Sequence, residues 1–374
     1  MANFFSSLFS SLVAKSSPSV LGIDIGDSSI KVVQIKKRGG KAILETYGEL
    51  ALGPYAGFEV GQAVKLAPEK LSQALLDVLK EANVTTKNCG MSIPLGSTLI
   101  TFIKMPASID EKQLNVMIPI EARKYIPVPI SEVNLNWWVI PKDDVSVSET
   151  GEAEGEIKDK SVDVLLVAVH TDAIERNKQV VQSTGLQSSF SEVELFSTVR
   201  ASLEQSMVPQ MLFDMGSSLT KLYIIERGIL RASHTINRGS QDITQAISKS
   251  MSIPISEAEQ MKRTYGIIAG QGNQQSVVEV SSPTLDYIFA EASRVLLGYQ
   301  RKYNKNIGRV VLSGSGVLLK GLAELAKSTF QTEVVVADPF GKVEYPAFLA
   351  NVLKDAGPGF AVALGLALRK LQEL

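Results

Sequence analysis

Asp24-Ile-Gly-Asp-Ser-Ser-Ile-Lys31 and Asp214-Met-Gly-Ser-Ser-Leu-Thr-Lys221 are the two stretches on which the fold of this chain turns. Asp, Gly, Ser and Lys fall in the same frame in both. Each begins at the end of an apolar, strand-like run, Val20–Ile25 in one case and Met211–Met215 in the other. Each leads into a second strand, Ile30–Lys36 or Leu219–Glu226. A second turn follows, at Arg38–Gly40 or Arg227–Gly228, and then a third strand, Ala42–Tyr47 or Ile229–His234. The chain therefore carries a duplicated β-turn-β-turn-β unit, one copy in each half.

The residue types in those turns suit one chemistry. A tight turn that holds phosphate needs glycine for close approach, amides and hydroxyls to donate hydrogen bonds, and a carboxylate for a hydrated metal ion. Asp24, Gly26, Asp27, Ser28 and Ser29 supply these, and Asp214, Gly216, Ser217, Ser218 and Thr220 supply them again. One such turn is weak evidence, because Asp and Gly are common in every turn. Two in the same hairpin context are much stronger. Both aspartates are expected at strand ends, facing a cleft between the halves and touching the water shell of Mg2+. Lys31 and Lys221 are expected to face solvent or the opposite lobe rather than the phosphates. A third part lies downstream, where the buried strand Arg309–Ser313 opens into Gly314-Ser-Gly316. Glycine there would let an adenine ring lie against the backbone, although an ordinary strand-to-helix turn uses the same residues.

Composition narrows the alternatives. The 374 residues exceed the length at which single cores stop growing, about 250–300, so more than one compact unit is expected. A net charge of −1 gives no field that would gather nucleic acid. The single cysteine, Cys89, excludes internal disulfides and cysteine-based zinc sites. No metal-binding His/Glu spacing and no Gly-x-Ser-x-Gly nucleophile turn is present.

Strand and helix signals alternate through the rest. Helices are expected over Pro68–Ala82, over Asp172–Ser183, and after Asp110, where Leu114, Ile118, Ala122 and Tyr125 share one face and Pro119 interrupts. Two short strands are read within residues 91–104, then Asn134–Ile140 and Val162–Val169. Further helices are read at Ser256–Tyr265, Pro283–Tyr303 and Gly357–Arg369. Residues 142–160 are acidic and almost without apolar side chains, which reads as a solvated loop. Phe4, Phe5, Leu8, Phe9, Leu12 and Val13 recur at helical spacing, so residues 1–18 read as an amphipathic helix.

With those pieces in order the chain resembles the actin-like ATPases, which include actin, chaperone ATPases, sugar kinases and the division protein FtsA. Within them it is most similar to the PilM family of type IV pilus assembly proteins. Pro119-Ile-Glu-Ala-Arg-Lys-Tyr-Ile-Pro-Val-Pro-Ile-Ser-Glu-Val133 resembles that family's signature in its inserted subdomain. Ala258-Glu-Gln-Met-Lys-Arg-Thr-Tyr-Gly266 and Gly357-Pro-Gly-Phe-Ala-Val-Ala-Leu-Gly-Leu-Ala-Leu-Arg369 resemble two more. The resemblance implies an α/β protein of two duplicated RNase H-like lobes around a nucleotide cleft, with an α+β insert in the first lobe. On that pattern lobe one would occupy 19–85, the insert 86–168, and lobe one again 169–208. Lobe two would begin at 209–240, carry a subdomain at 241–305, continue over 306–356, and give way to a closing helix at 357–374 that returns to lobe one.

The resemblance also implies ligands and partners. ATP or ADP with Mg2+ would sit on the two turns, with Asp24 and Asp214 reaching the metal through water. Gly314, Ser315, Gly316, Glu259 and Lys262 would lie near the adenosine. Glu259 and Lys262 also fit a plain i,i+3 surface pair. A groove beside the insert, with Glu121, Arg123, Lys124 and Tyr125 on its surface, would take the N-terminal cytoplasmic peptide of PilN. The protein would then be cytoplasmic and peripheral to the inner membrane, and at most a slow Mg-dependent ATPase. Glu192 and Glu194 lie near the junction of the halves, and neither is assigned a catalytic role. Ser315 stands where the family usually has a second glycine. Two other readings remain, an FtsA-like filament protein and a small-molecule kinase.

Overall fold

The computed structural model describes residues 19–108, 110–140 and 161–373. The amphipathic stretch within 1–18 and the acidic stretch 142–160 lie outside the described residues. Two compact units are present, one built from residues up to Ser92 and from Val180 onward, the other from Ile93–Gln179.

The first unit opens with strands β1 (Ser19–Ile25), β2 (Ser29–Arg38) and β3 (Lys41–Ala51), joined by tight turns. Helix Pro68–Glu81 follows, then β4 (Asn88–Ile93), which pairs parallel with β1. Alternation along β1 sends Leu21 and Ile23 to one face and Val20 to the other, and both faces are covered. Helix Pro68–Glu81 packs through Leu71, Ala74, Leu75 and Val78 on the first face. Phe360, Ala363, Leu364 and Ala367 cover the second.

The second unit is a three-stranded antiparallel sheet with one helix. Strand β5 (Thr98–Pro106), helix Glu111–Ala122, β6 (Val133–Val139) and β7 (Ser161–His170) give the order β5-β7-β6. Asp110 caps the helix by accepting from the Gln113 amide at 2.8 Å, and Gln113 returns the bond to Asp110. Leu114, Ile118 and Ala122 are buried against the sheet as expected, but Tyr125 is exposed. The helix ends at Ala122, so the following turn brings Ile126 to the core instead. The insert expected over 86–168 shares β5, β6 and β7 with this unit.

The chain returns through helix Thr171–Thr184, β8 (Gln187–Val193) and helix Glu194–Ser202. It then repeats its opening. Strands β9 (Gln210–Met215), β10 (Thr220–Glu226) and β11 (Ile229–Ile236) form a second meander. Helices Ser240–Met251, Ile255–Tyr265 and Asn273–Tyr303 follow, then β12 (Arg309–Ser313), helix Leu322–Phe330 and β13 (Glu333–Val336). The two sheet orders, β3-β2-β1-β4-β8 and β11-β10-β9-β12-β13, correspond strand for strand. The repeat extends to irregularities, because the β2–β3 register slips at Gln34/Ile35 and the β10–β11 register at Ile224/Ile225. Each slip begins ten residues after its aspartate.

Two boundaries differ from the sequence reading. The long helix starts at Asn273 and runs through Pro283. Proline removes one donor, and the Ser281 and Ser282 hydroxyls donate to the Val277 and Val278 carbonyls in that same stretch. The closing segment begins as a 3-10 turn, Gly357–Phe360, before helix Ala361–Gln372. No described helix is long and apolar enough to cross a membrane.

The closing helix approaches its neighbours without side chains between. A Cβ on Gly365 would lie 2.0 Å from the Ser197 carbonyl oxygen, and one on Gly22 would lie 1.8 Å from that of Ala363. Helix propensity alone would make Gly365→Ala stabilising by about 1 kcal/mol. The overlap reverses the sign, and a loss of about 2–3 kcal/mol is expected in urea unfolding. A variant as stable as wild type would show that the helix sits farther from Ser197.

Candidate functional site

The two hairpins of matching frame repeat the same turn contact and the same strand register. In the first, Gly26 N–H donates to the Ser29 carbonyl at 3.0 Å. In the second, Gly216 N–H donates to that of Leu219 at 2.8 Å. A Cβ on either glycine would press on the same carbonyl, at 3.2 and 3.1 Å. The four-residue turn sets the register, so Asp24 stands opposite Lys31 and Asp214 opposite Lys221. The seven-residue spacing is therefore what pairs a carboxylate with an ammonium across each hairpin.

The turn carbonyls are engaged from behind. Asp27 O accepts from Val64 N at 2.8 Å and Ser28 O from Leu52 N at 2.9 Å. Gly216 O and Ser217 O accept from Ser240 N and Gln241 N, at 3.0 and 2.9 Å, at the start of helix Ser240–Met251. Among the described residues, the amides of Asp27, Ser28, Ser217 and Ser218 have no protein acceptor. Asp27 is exposed, and Ser28, Ser217 and Ser218 are half-buried. Free donors aimed out of two tight turns suit an anion.

Between the turns lies a dense charge cluster. Burial pushes the Asp24 carboxyl up to about 6, against the pull of Lys31 and with a further push from Glu194. Burial also raises Asp214, with Lys221 opposing it. Each aspartate feels the other hairpin's lysine as well as its own, so the two turns face one another. Lys221 does not face solvent. Its Nζ lies 2.6 Å from Glu194 Oε2 and 3.7 Å from Asp214 Oδ2. Burial would lower Lys221, but the Glu194 and Asp214 carboxylates outweigh it and hold the ammonium well above the usual lysine range. Lys31 is buried too, 2.9 Å from Ser29 Oγ and 3.2 Å from Glu49 Oε1. Lys31 and Lys221 are both enclosed rather than turned to solvent, and Lys221 reaches Glu194 of the first half of the chain, which is the opposite-lobe alternative. Directly paired residues share one face of an extended hairpin, which keeps each lysine beside its aspartate.

The remaining expected residues fall into three places. Thr220 is fully buried and its hydroxyl donates to the Arg238 carbonyl, away from the cluster. Gly314 and Gly316 pack on the end of β9, where added Cβ atoms would meet Asp214 Oδ1 and Met215 Cγ at 2.5 Å each. Close packing and a φ of +86° at Gly314 account for glycine there. Ser315 is exposed. Glu259 and Lys262 are buried rather than forming a surface pair. Lys262 Nζ contacts Glu259 Oε2 at 2.6 Å, Thr244 Oγ1 at 2.8 Å and the Ser240 carbonyl at 3.2 Å, which engages all three donors. Glu121, Arg123, Lys124 and Tyr125 belong to the Ile93–Gln179 unit. Glu121 pairs with Lys124 at 2.7 Å.

Several residues of the cluster escaped sequence reading. Ser92, just past the paired part of β4, accepts from the Ile25 amide at 3.2 Å and hydrogen-bonds the Asp24 carboxylate. Ser313 takes the corresponding position on β12, paired with Asp214. The duplication was the available signal, since Met91-Ser92 and Leu312-Ser313 end corresponding strands. Glu192 and Glu194 also separate. Glu192 is clamped by Arg200, Arg369 and Ser197, whereas Glu194 joins the charge cluster.

A metal ion with phosphate fits this arrangement. No group of three or more His, Cys, Asp or Glu side chains converges among the described residues. A cation here would keep most of its water and take the rest of its shell from Asp24, Asp214 and phosphate oxygens, as Mg2+ favours.

Comparison with known proteins gives a consistent answer. The family described as type IV pilus assembly protein PilM matches residues 22–371. The chain is similar to a protein of the PilM-PilN type IV pilus biogenesis complex, with 25% identity and a TM-score of 0.77, covering 94% of this chain and 98% of that one. It is also similar to the cell division protein FtsA of Neisseria meningitidis serogroup B, 24% identical over 226 residues, 54% of this chain and 53% of that protein. The match thus spans about half the length of that curated relative. MreB5 of Spiroplasma citri bound to ADP shares the fold, with a TM-score of 0.53 and 11% identity, covering 96% of this chain and 98% of that one. The architecture is the actin-like ATPase fold.

The elevated Asp24 carboxyl has a pH consequence. The folded protein holds this proton more tightly than the unfolded chain does, so its ionisation costs stability as pH rises from 3.8 to about 6. That elevation sets a ceiling of about 3 kcal/mol. Asp24→Asn is expected to stabilise the nucleotide-free protein by about 1–3 kcal/mol at pH 7.5, with the gain shrinking as pH falls toward 4. Denaturant unfolding at both pH values reads this, and an equal gain at both would sink the assignment.

Proposed function

The chain belongs to the PilM family of type IV pilus assembly proteins, and on that premise we propose that it is a nucleotide-gated scaffold which docks the N-terminal cytoplasmic tail of the inner-membrane protein PilN. The observation that carries the nucleotide part is the pair of facing turns with unpartnered amides around two desolvated aspartates. Asp27, Ser28, Ser217 and Ser218 would donate to the phosphates of ATP or ADP. Asp24 and Asp214 would hold the hydrated Mg2+, which when bound supplies the positive charge that these two carboxylates lack. Gly314 to Gly316 would border the adenosine.

The protein's own charges favour holding nucleotide over turning it over. A group that orients an attacking water must be free to accept from it. Glu194, the acidic residue of the cluster nearest such a role, is drawn to Lys221 at 2.6 Å. Glu192 is locked into the Arg200 and Arg369 clamp. Both features support slow hydrolysis or none.

The docking part rests on the Ile93–Gln179 unit. Its helix is apolar on a second face, where Val116, Met117 and Ile120 are exposed beside Arg123, Lys124 and Tyr125. An apolar strip with a basic end suits a short peptide carrying both hydrophobic and acidic or polar groups. The protein would then work at the cytoplasmic face of the inner membrane through its partner.

Two titrations test this reading. Calorimetry with Mg·ATP is expected to give binding to wild type and at least about a ten-fold loss for Asp24→Ala, as removal of a charged contact implies; equal affinities would remove the site. A peptide from the PilN N-terminus is expected to bind wild type and to bind more weakly to Ile120→Asp. Binding by neither would leave the scaffold role without its partner.

A further inference from the structure

One segment of the first unit crosses from the first phosphate turn to the second. After β3 the chain forms a tight loop, with Phe58 N–H donating to the Gly53 carbonyl at 3.0 Å. Gly53 permits this closure, since a Cβ there would lie 2.1 Å from the Glu59 carbonyl oxygen. The loop then runs over helices Ser240–Met251 and Ile255–Tyr265. Glu59 accepts from the Ser256 amide. Gly61 adopts φ +94°, and a Cβ there would meet Glu259 Cγ at 3.0 Å.

The next two residues complete a bridge. Val64 N–H donates to the Asp27 carbonyl of the first turn at 2.8 Å. Ala63 N–H donates to Gln241 Oε1 at 2.9 Å. Gln241 in turn donates its own amide to the Ser217 carbonyl of the second turn at 2.9 Å. Asp27 and Ser217 are therefore joined through three hydrogen bonds and two adjacent residues of one loop. Only the middle bond is made by a side chain; that bond and the Glu59 contact tie the loop to helices Ser240–Met251 and Ile255–Tyr265.

We propose that the loop from Gly53 to Leu66 is a strap across the nucleotide cleft, and that the Ala63–Gln241 bond sets how fast nucleotide enters and leaves. The proposal rests on the nucleotide site described above and adds its exchange control. The strap couples the two turns, so each must move with the other when the cleft opens. Gln241 is the gate residue of this bridge, its backbone amide and its side-chain oxygen both serving protein partners. Glu59, on the same loop, acts with it by accepting from Ser256 of the neighbouring helix.

A gate and a ligand contact differ in kinetics. Loosening a gate speeds both entry and departure, whereas losing a contact speeds departure alone. The probe is a fluorescent ADP analogue with Mg2+, followed by stopped flow on the full chain. Gln241→Ala is expected to raise both rates by about five-fold, the equivalent of one ordinary hydrogen bond. Its Kd should change by less than about two-fold, since entry and departure move together. Gln241→Glu keeps an acceptor oxygen for Ala63 and is expected to exchange as slowly as wild type. Glu59→Ala is expected to act in the same direction as Gln241→Ala. Wild-type rates in Gln241→Ala, or faster departure with unchanged entry, overturn the strap while leaving the nucleotide site standing. If wild type binds no analogue, the site itself falls and the strap with it.

Discussion

A carboxylate at the inner end of a buried strand is costly unless an opposite charge stands beside it. This protein solves that problem twice with the same pair, Asp24 across from Lys31 and Asp214 across from Lys221. Much of the central architecture serves those pairs. The four-residue turns fix the register that makes them, and glycine at the turn start keeps the register tight. The flanking strands β4 and β12 end in serines at the level of the aspartates. The closing helix packs on β1 at Gly22, two residues before Asp24, with backbone against backbone. Glu194 then ties the second lysine to the first half of the chain.

The pairs remain short of neutrality. Two aspartates and Glu194 share Lys221 and Lys31, and Lys31 is also drawn to Glu49. Burial raises the Asp24 and Asp214 carboxyls despite both lysines, and Glu194 adds to the rise. Positive charge is lacking at the centre while unpartnered amides crowd the rim. A cation with an anion attached satisfies both demands at once, which neither a bare metal nor a bare phosphate does. That complementarity, more than any single residue, is why the site reads as one for a metal-bound nucleotide.

How much of this was legible in the sequence follows from where the information is local. The duplicated hairpins were readable because strand period, glycine and aspartate are set within eight residues. The lysine directions stayed open between solvent and the opposite lobe because they depend on pairing register, which the turn hydrogen bond sets. Ser92 was passed over because it acts on a strand neighbour, Asp24, far away in sequence, and Ser313 because only strand pairing sets it level with Asp214. Pro283 was read as a helix start on local grounds. The chain runs through it because the helix buries Val277 before the proline and Leu285, Ile288 and Phe289 after it. Tyr125 was assigned to the helix's apolar face by counting. The helix ends at Ala122, so the phase is lost and Ile126 is buried instead.

The same reasoning separates a clamp from an engine. A hydrolytic site needs a polar group held ready but uncommitted beside the reacting phosphate. Here the two acidic residues near the junction of the halves are both committed, Glu192 to two arginines and Glu194 to a lysine. Lys262 and Glu259 satisfy one another with Thr244. Among the described residues, the amides of Asp27, Ser28, Ser217 and Ser218 stay open, and backbone amides can hold an anion without taking part in chemistry. A fold that engages its reactive side chains in cross-links and leaves only its backbone donors free is built to register the presence of its ligand. In the proposed scaffold that would be the useful property, because ligand charge placed between Asp24 and Asp214 would alter the balance between the two hairpins.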